Sequence, residues 1–311
     1  MLYMKENKLS RAYILITPAR NEEKNLPSLI QSVTEQTIKP VLWVIVDDGS
    51  TDDTPQIVKE AEEKYSFIKS IRLNDSDRNP GFPISNALRK GFYISNAMRK
   101  GFDFAIEYCM KNRIDYEYLG NVDGDIILEE MFFEKLIKEF EKDPMLGIAG
   151  GGILYIRGNR IIQEKGRIDE PSGANMLIRK EFFEECGGIP PCCPDSVLKA
   201  KARLRGWKTK RFEGVKALET RDVNPKIRNA ADIVNYWKRY IYRGAAAYYL
   251  NTHPIYVIAK GIRYLCKKPY FTGIAYLLGY FSSFIRRKEQ IDDEEIKNYF
   301  WNKWKKLLRR N

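Results

Sequence analysis

Short strand-like runs alternate with helix-like segments over the first half of the chain, and this alternation limits the fold more than any other feature. The runs lie at residues 12–17, 41–46, 67–73 and 116–122. Each run is long enough for one strand, and each is followed by residues that favour a helix. Such alternation predicts an α/β fold with a mostly parallel sheet and helices on both faces.

Polar clusters directly follow three of the predicted strands. They are residues 17–23 (TPARNEE), residues 47–54 (DDGSTDDT) and residues 123–125 (DGD). The carboxyl ends of parallel strands share one edge of a sheet, and ligands of α/β proteins bind beyond that edge. We therefore expect the three clusters to converge on one crevice.

The cluster after the fourth strand has the composition of a metal site. Asp123 and Asp125 stand one residue apart, and hard cations such as Mg²⁺ or Mn²⁺ prefer oxygen ligands shared with substrate phosphates. Such a cation neutralises the charge that builds on a departing diphosphate. An isolated pair of this kind is common in turns, but its position after a buried strand favours a site.

The clusters after the first and second strands suit a nucleotide. A carboxylate at a strand end, such as Asp47 or Asp48, can accept a hydrogen bond from a base or a ribose, and Gly49 allows a tight turn. Arg20 and Glu22 stand where a nucleotide can be clasped. The alternative is structural, because acidic residues also stabilise helix N-termini.

Together the three segments resemble the family 2 glycosyltransferases of GT-A fold. That family carries P-x-x-N-E, V-D-D-G-S-x-D-x-T and D-x-D segments in this order, and all three occur here. Residues 173–176 (GANM) and 186–189 (CGGI) also resemble family segments. The resemblance covers residues 12–215, and it implies a GT-A, Rossmann-like sheet.

The resemblance implies roles for particular residues. It implies a nucleotide-sugar pocket lined by Pro18, Ala19, Arg20, Glu22, Asp47, Asp48 and Asp123. Asp125, together with Asp123, would bind Mg²⁺ or Mn²⁺. Asp195 would be the general base of a one-step, inverting transfer to a hydroxyl acceptor. The chain departs from the family at Pro194, where an acidic residue is usual, and it lacks the Q-x-x-R-W motif, which implies single transfer rather than polymer extension.

The C-terminal part of the chain holds the whole charge excess. Residues 226–311 carry 18 Lys/Arg and 6 Asp/Glu, which equals the net charge of +12. Such a basic region predicts an anionic partner, either nucleic acid or acidic lipid. No segment resembles a nucleic-acid recognition motif, so we expect lipid and no nucleic acid. The interpretation is a glycosyltransferase domain at residues 1–222 and a basic helical, membrane-associating region at 223–311.

One segment of this region, residues 269–285, has no charged residue and is flanked on both sides by Lys and Arg. It is short for a membrane span, which needs about 20 apolar residues. Basic flanks at both ends favour an interfacial or re-entrant helix. A helix packed on the enzyme itself or on a dimer partner, and a true span, are the alternatives.

The remaining features bear on location and on rival functions. Five cysteines without a C-x-x-C pair argue against disulfides or zinc, and residues 1–10 lack an apolar leader segment. We expect a cytoplasmic protein, peripheral on the inner face of the cell membrane, with a polyprenyl-linked or surface-glycan acceptor. A nucleotidyltransferase-like enzyme is an alternative, although its Gly-rich loop is missing. An inactive membrane scaffold is another, against which the acidic set argues.

Overall fold

The structure is a computed structural model that describes residues 11–77, 86–157, 160–221, 227 and 229–305. Four parallel strands form the first part of its sheet. They are β1 (Tyr13–Ala19), β2 (Leu42–Asp47), β3 (Ile68–Arg72) and β4 (Tyr118–Val122). Their order is β3-β2-β1-β4. The first three strands extend the sheet to one side of β1, and β4 is added on the other side, as in doubly wound sheets.

Six helices accompany the sheet in the described residues of this part of the chain. They are α1 (Leu26–Thr34), α2 (Thr54–Lys64), α3 (Arg89–Asn112), α4 (Phe132–Lys142), α5 (Lys180–Glu185) and α6 (Pro194–Leu204). Alternate residues of β1 point to opposite faces. Tyr13 and Leu15 join a core with α1, α2 and α4, whereas Ile14 and Ile16 join a second core with α3, α5 and α6. Both faces are therefore covered, as predicted.

The second part of the sheet adds antiparallel strand pairs to the predicted parallel ones. It comprises β5 (Ile126–Leu128), β6 (Leu146–Arg157), β7 (Arg160–Gln163), β8 (Asn175–Arg179) and β9 (Lys208–Glu219). β8 runs antiparallel to both β4 and β6, and β9 runs parallel to β6 but antiparallel to β5. The sheet is therefore mixed rather than purely parallel. Its strand directions could not be predicted, because apolar periodicity indicates a strand but carries no information on its direction.

The chain forms two compact units. One consists of Met1–Arg78 and Ile94–Val223, and the other of Asn79–Tyr93 and Asn224–Asn311. The described helices of the second unit's C-terminal part are α7 (Ala230–Tyr249), α8 (Pro254–Leu265), α9 (Phe271–Ile285) and α10 (Glu294–Trp301). The assignment of residues 1–222 to a glycosyltransferase domain and of 223–311 to a membrane-associating region stays a prediction.

The uncharged segment 269–285 folds as α9, which begins at Phe271. Within the described ranges, no helix has the length and apolarity that a membrane crossing requires. The helix packs against α7 and α8, with Gly273, Ala275 and Gly279 among its buried residues.

Candidate active site

The segment after β2 forms a tight turn that buries two adjacent carboxylates. Gly49 adopts a positive φ of 68°, and the Ser50 amide donates to Asp47 Oδ1 over 2.8 Å. Asp47 pairs with Arg72 at 2.9 Å, and Asp48 pairs with Arg20 at 3.6 Å. Each buried acid thus lies beside one arginine that stabilises its charge.

Burial raises the pKa of Asp48 to about 6, because desolvation disfavours a carboxylate. The neighbouring charge of Asp47 raises this pKa further, whereas the Arg20 guanidinium lowers it. Asp48 therefore ionises close to neutral pH, where a small change in its surroundings alters its charge.

Side chains after β2 hold the segment that follows β1. The Glu22 amide donates to Thr54 Oγ1 over 2.7 Å, and the Asn21 amide donates to Ser50 Oγ over 3.0 Å. Within β1, Pro18 is paired in register with Val46 and Ala19 with Asp47. The two nucleotide-type segments predicted from the sequence are therefore adjacent.

The D-x-D segment after β4 lies against Glu22. A Cβ atom added to Gly124 would stand 3.0 Å from Glu22 Cγ. The Asp123 amide donates to the carbonyl of Ala174 over 2.9 Å, and the side chain of Asn121 donates to the carbonyl of Gly173 over 2.8 Å. These bonds fix the end of β4 against the start of β8, while glycine at 124 leaves room for the Glu22 side chain.

Several carboxylates at this edge of the sheet repel one another electrostatically. Burial raises the pKa of Asp123 to about 7, and the charges of Asp125, Asp195 and Glu22 raise it further. Burial also raises the pKa of Glu219 to about 7, with the charges of Asp125 and Asp123 adding to it. The structure thus brings four predicted site residues together, Glu22, Asp123, Asp125 and Asp195, and adds Glu219 to them.

Arg221 lies within this acidic group. Its guanidinium forms an ion pair with Glu22 and another, at 3.5 Å, with Asp125. It also lowers the pKa of Glu219. A half-exposed arginine among carboxylates is available to a phosphate group as well, because a guanidinium pairs with either anion.

Asp195 stands in the first turn of α6, directly after Pro194, the first residue of that helix. A Cβ atom added to Gly173 would lie 3.1 Å from Asp195 Cβ, so glycine at 173 allows the close approach. The ammonium of Lys199, one turn along, lies 3.5 Å from Asp195 Oδ2 and 3.2 Å from Glu170. Lys199 is buried, and it therefore restrains the orientation of Asp195.

The sequence interpretation missed Glu219, Arg221, Arg72 and Lys199. Glu219 is the last residue of β9, where this strand pairs with β5. Lys199 carried a local signal, because a lysine four residues after an aspartate on a helix lies on the same side. Arg72 and Arg221 had no such signal, since their partners lie far away in sequence.

The donor atoms at the end of β4 fit a divalent cation. Asp123 and Asp125 offer carboxylate oxygens, the ligands that Mg²⁺ and Mn²⁺ prefer, and their mutual repulsion is what a cation would relieve. Across the described residues, no group of three or more His, Cys, Asp and Glu side chains is arranged to hold a metal ion. A magnesium site that completes its coordination with water and substrate phosphates needs only one or two protein carboxylates.

A mixed α/β sheet, covered by helices on both faces and acidic at one edge, is the GT-A class of fold. The chain resembles the mannosyltransferase PcManGT from Pyrobaculum calidifontis, solved in complex with GDP-Man and Mn²⁺, with a TM-score of 0.50 and 17% identity over 86% of this chain and 69% of that one. The family described as Glycosyl transferase family 2 matches residues 14–198. The chain belongs to that family.

Curated relatives match shorter stretches. A 4,4'-diaponeurosporenoate glycosyltransferase from Staphylococcus haemolyticus is 38% identical over 60 residues, which are 19% of this chain and 16% of that protein. An uncharacterized protein from Methanocaldococcus jannaschii is 33% identical over 138 residues, 43% of this chain and 51% of that protein. The matches thus span a sixth of the first relative and half of the second.

Proposed function

We propose that the protein is an inverting glycosyltransferase that moves a sugar of hexosyl type from a nucleotide-diphosphate sugar to a hydroxyl acceptor. The observation that carries this proposal is the convergence of Glu22, Asp123, Asp125 and Asp195 at one edge of the sheet, where Gly124 lies against Glu22 and Gly173 against Asp195. Membership of the glycosyl transferase family 2 supports the same chemistry.

The nucleotide is proposed to bind along the ends of β1 and β2. Asp48 and Asp47 accept hydrogen bonds from the base or the ribose, while Arg20 and Glu22 lie beside them. Pro18 and Ala19 form the floor of this pocket, since β1 continues through both residues. The Ser50 amide, which donates to Asp47 Oδ1, holds the turn at Gly49 that borders this pocket.

The diphosphate is proposed to lie at Asp123 and Asp125, the residues that would hold Mg²⁺ or Mn²⁺. A bound cation would stabilise the negative charge of the leaving diphosphate. Arg221 is proposed to exchange its pairing with Asp125 and Glu22 for a phosphate oxygen. Such an exchange keeps the arginine charge compensated in both states.

Asp195 is proposed as the general base. It removes the proton from the acceptor hydroxyl as the oxygen attacks the anomeric carbon, and the bond to the diphosphate breaks in the same step. Lys199 and its partner Glu170 hold Asp195 in position. One displacement inverts the anomeric configuration, and the absence of a Q-x-x-R-W motif favours a single transfer.

The acceptor is proposed to be a polyprenyl-linked saccharide or another glycan of the cell envelope. We propose a peripheral location on the cytoplasmic face of the membrane, because residues 226–311 hold the charge excess that attracts anionic lipid.

Donor hydrolysis with UDP-, GDP- and dTDP-sugars, in Mg²⁺, Mn²⁺ or chelator, tests the proposal. The variants Asp125→Ala and Asp195→Asn should each lose at least a hundredfold of transfer activity, which is about the contribution of one catalytic group. Asp103→Asn, an exposed aspartate of α3, is the matched control and should retain full activity. Full turnover by both site variants would refute the mechanism.

A further inference from the structure

The helices α8 and α9 expose large apolar side chains to solvent. The stripe on α8 consists of Ile255, Ile258 and Ile262, and that on α9 consists of Ile274, Leu278, Phe284 and Ile285, with exposed fractions between 42 and 77%. We call these seven residues the apolar face. Residues three, four, seven or eleven apart share one side of a helix, which places the three isoleucines along one side of α8 and Ile274, Leu278 and Ile285 along one side of α9. Phe284 is turned by roughly 100° from Ile285, and its ring lies edge-on to Tyr248 of α7.

The buried side of α9 combines the small residues Gly273, Ala275 and Gly279 with two tyrosines, Tyr276 and Tyr280. A Cβ added to Gly273 would lie 2.6 Å from the carbonyl oxygen of Gly261 in α8, and one added to Gly279 would lie 2.9 Å from the carbonyl carbon of Ile241 in α7. The helix backbones are therefore in close contact through glycine. A helix in water buries its large aliphatic residues, whereas α9 exposes Ile274, Leu278 and Ile285 to solvent. Close backbone contacts through glycine are typical of helices packed in lipid.

Positive charge stands at both ends of α9. Lys267 and Lys268 precede the helix, and Arg286, Arg287 and Lys288 follow it. All but the half-buried Lys288 are exposed. At 1.5 Å per residue, the 15 residues of α9 measure about 22 Å, less than the hydrocarbon thickness of about 30 Å. Basic residues at both ends favour a helix that lies along a bilayer surface, with both ends at headgroup level.

We propose that α8 and α9 form a docking surface for an anionic lipid bilayer, in which the apolar face enters the boundary between headgroups and acyl chains. The basic residues at the two ends of α9 contact the lipid phosphates. This inference deepens the proposed membrane association and rests on it, because it assigns that association to these side chains and to an in-plane helix.

Sedimentation of the full chain with vesicles of phosphatidylcholine, with and without phosphatidylglycerol, tests the surface. The double variant Ile274→Ser with Leu278→Ser should weaken binding to the anionic vesicles by about tenfold or more. Ile161→Ser with Ile168→Ser changes two even more exposed isoleucines outside the apolar face, and its binding should match the wild type.

A second pair of variants tests the charges. Lys267→Gln with Arg286→Gln should reduce binding by about fivefold for each charge removed, and the wild type should bind more weakly as salt rises. Lys111→Gln with Lys165→Gln removes two exposed charges elsewhere and should have no effect.

Two results would overturn the surface. One is binding to anionic vesicles that is absent, or that the Ile274→Ser, Leu278→Ser variant retains in full. The other is a dimer in sedimentation velocity that this variant dissociates, which would make the apolar face a contact between copies. Donor hydrolysis without vesicles should be unchanged in the Ile274→Ser, Leu278→Ser variant, and Asp125→Ala should bind vesicles normally. These two results distinguish failure of the docking surface from failure of the proposed catalysis.

Discussion

Gly279→Ala sets helix propensity against packing, and the two effects have opposite signs. In an isolated helix, alanine in place of glycine is more stable by about 1 kcal/mol. In α9, the added methyl group would overlap the carbonyl oxygen of Ile241, and it would stand 2.9 Å from the carbonyl carbon of Ile241 and 3.0 Å from its Cα, all backbone atoms of α7. Since backbone atoms cannot rotate away, α7 and α9 must separate.

The expected magnitude follows from that separation. Ordinary contacts of a methyl carbon lie at about 3.5–4.0 Å, so the helices must move apart by at least about 1 Å, and a gap of about 1 Å forfeits about half of the local dispersion energy. Overpacking of this kind costs about 1–3 kcal/mol. Because the clash is with backbone, we take the upper end. After the propensity gain, the net loss is about 2 kcal/mol.

Hydrogen exchange of the full chain measures this loss locally. Amides of α7 and α9 should exchange about 30-fold faster in the variant, since local opening becomes easier by about 2 kcal/mol. Gly244→Ala affects the same helix contact, because its added Cβ would lie 2.8 Å from the Tyr280 amide nitrogen. The double variant should therefore lose less than the sum of the two single losses.

Gly214→Ala is the matched control, because no atom lies within 4 Å of a Cβ added there. Its effect should stay within about 0.5 kcal/mol. Slower exchange in Gly279→Ala, as propensity alone requires, would refute the conclusion that glycine sets the distance between these helices.

Three further predictions concern the candidate site. Because burial raises the pKa of Asp48 from 3.8 to about 6, the folded protein holds that proton more tightly than the unfolded chain does. The stability that the bound proton contributes is full below about pH 4 and is lost as the pH rises through about 6. Nucleotide affinity needs the ionised form of Asp48, so it should fall as the pH drops below about 6. Calorimetric titrations of nucleotide between pH 5 and 8 check this, and a profile that Asp48→Asn leaves unaltered would contradict it. Lys199→Gln should lower the transfer rate by about tenfold without weakening donor binding, because Lys199 contacts Asp195 and Glu170 but none of the proposed nucleotide-binding residues. Steady-state kinetics in which only the donor KM changes would count against a positioning role. Chelation of divalent cations should abolish transfer and weaken donor binding. Added Mn²⁺ or Mg²⁺ should restore both in the wild type but not in Asp125→Ala. Undiminished turnover in the presence of chelator would contradict a metal-assisted step.

Much of the fold could be predicted from local sequence, because its signals are local. The run at residues 41–46 predicted β2, observed at Leu42–Asp47, since six apolar residues in succession are typical of a strand buried on both faces. The adjacency of the segments after β1 and β2 could also be predicted, because parallel strands end at the same edge.

The rest depended on partners that lie far away in sequence. β9 extends to Glu219 because it forms hydrogen bonds with β5 and β6. No local pattern at residues 213–219 predicts that pairing. For the same reason Glu219 and Arg221 were missed as members of the acidic group.

By itself, the sequence determined the alternation of strands and helices, the acidic strand ends and the basic C-terminal region, because each is written in consecutive residues. Only the tertiary structure decided the direction of β8, the pairing of Arg221 with Glu22 and Asp125, and the outward side of α9. Direction, pairing and exposure are relations between distant segments, and they are settled by which backbones can approach closely, as Gly273 and Gly279 allow α9 to do.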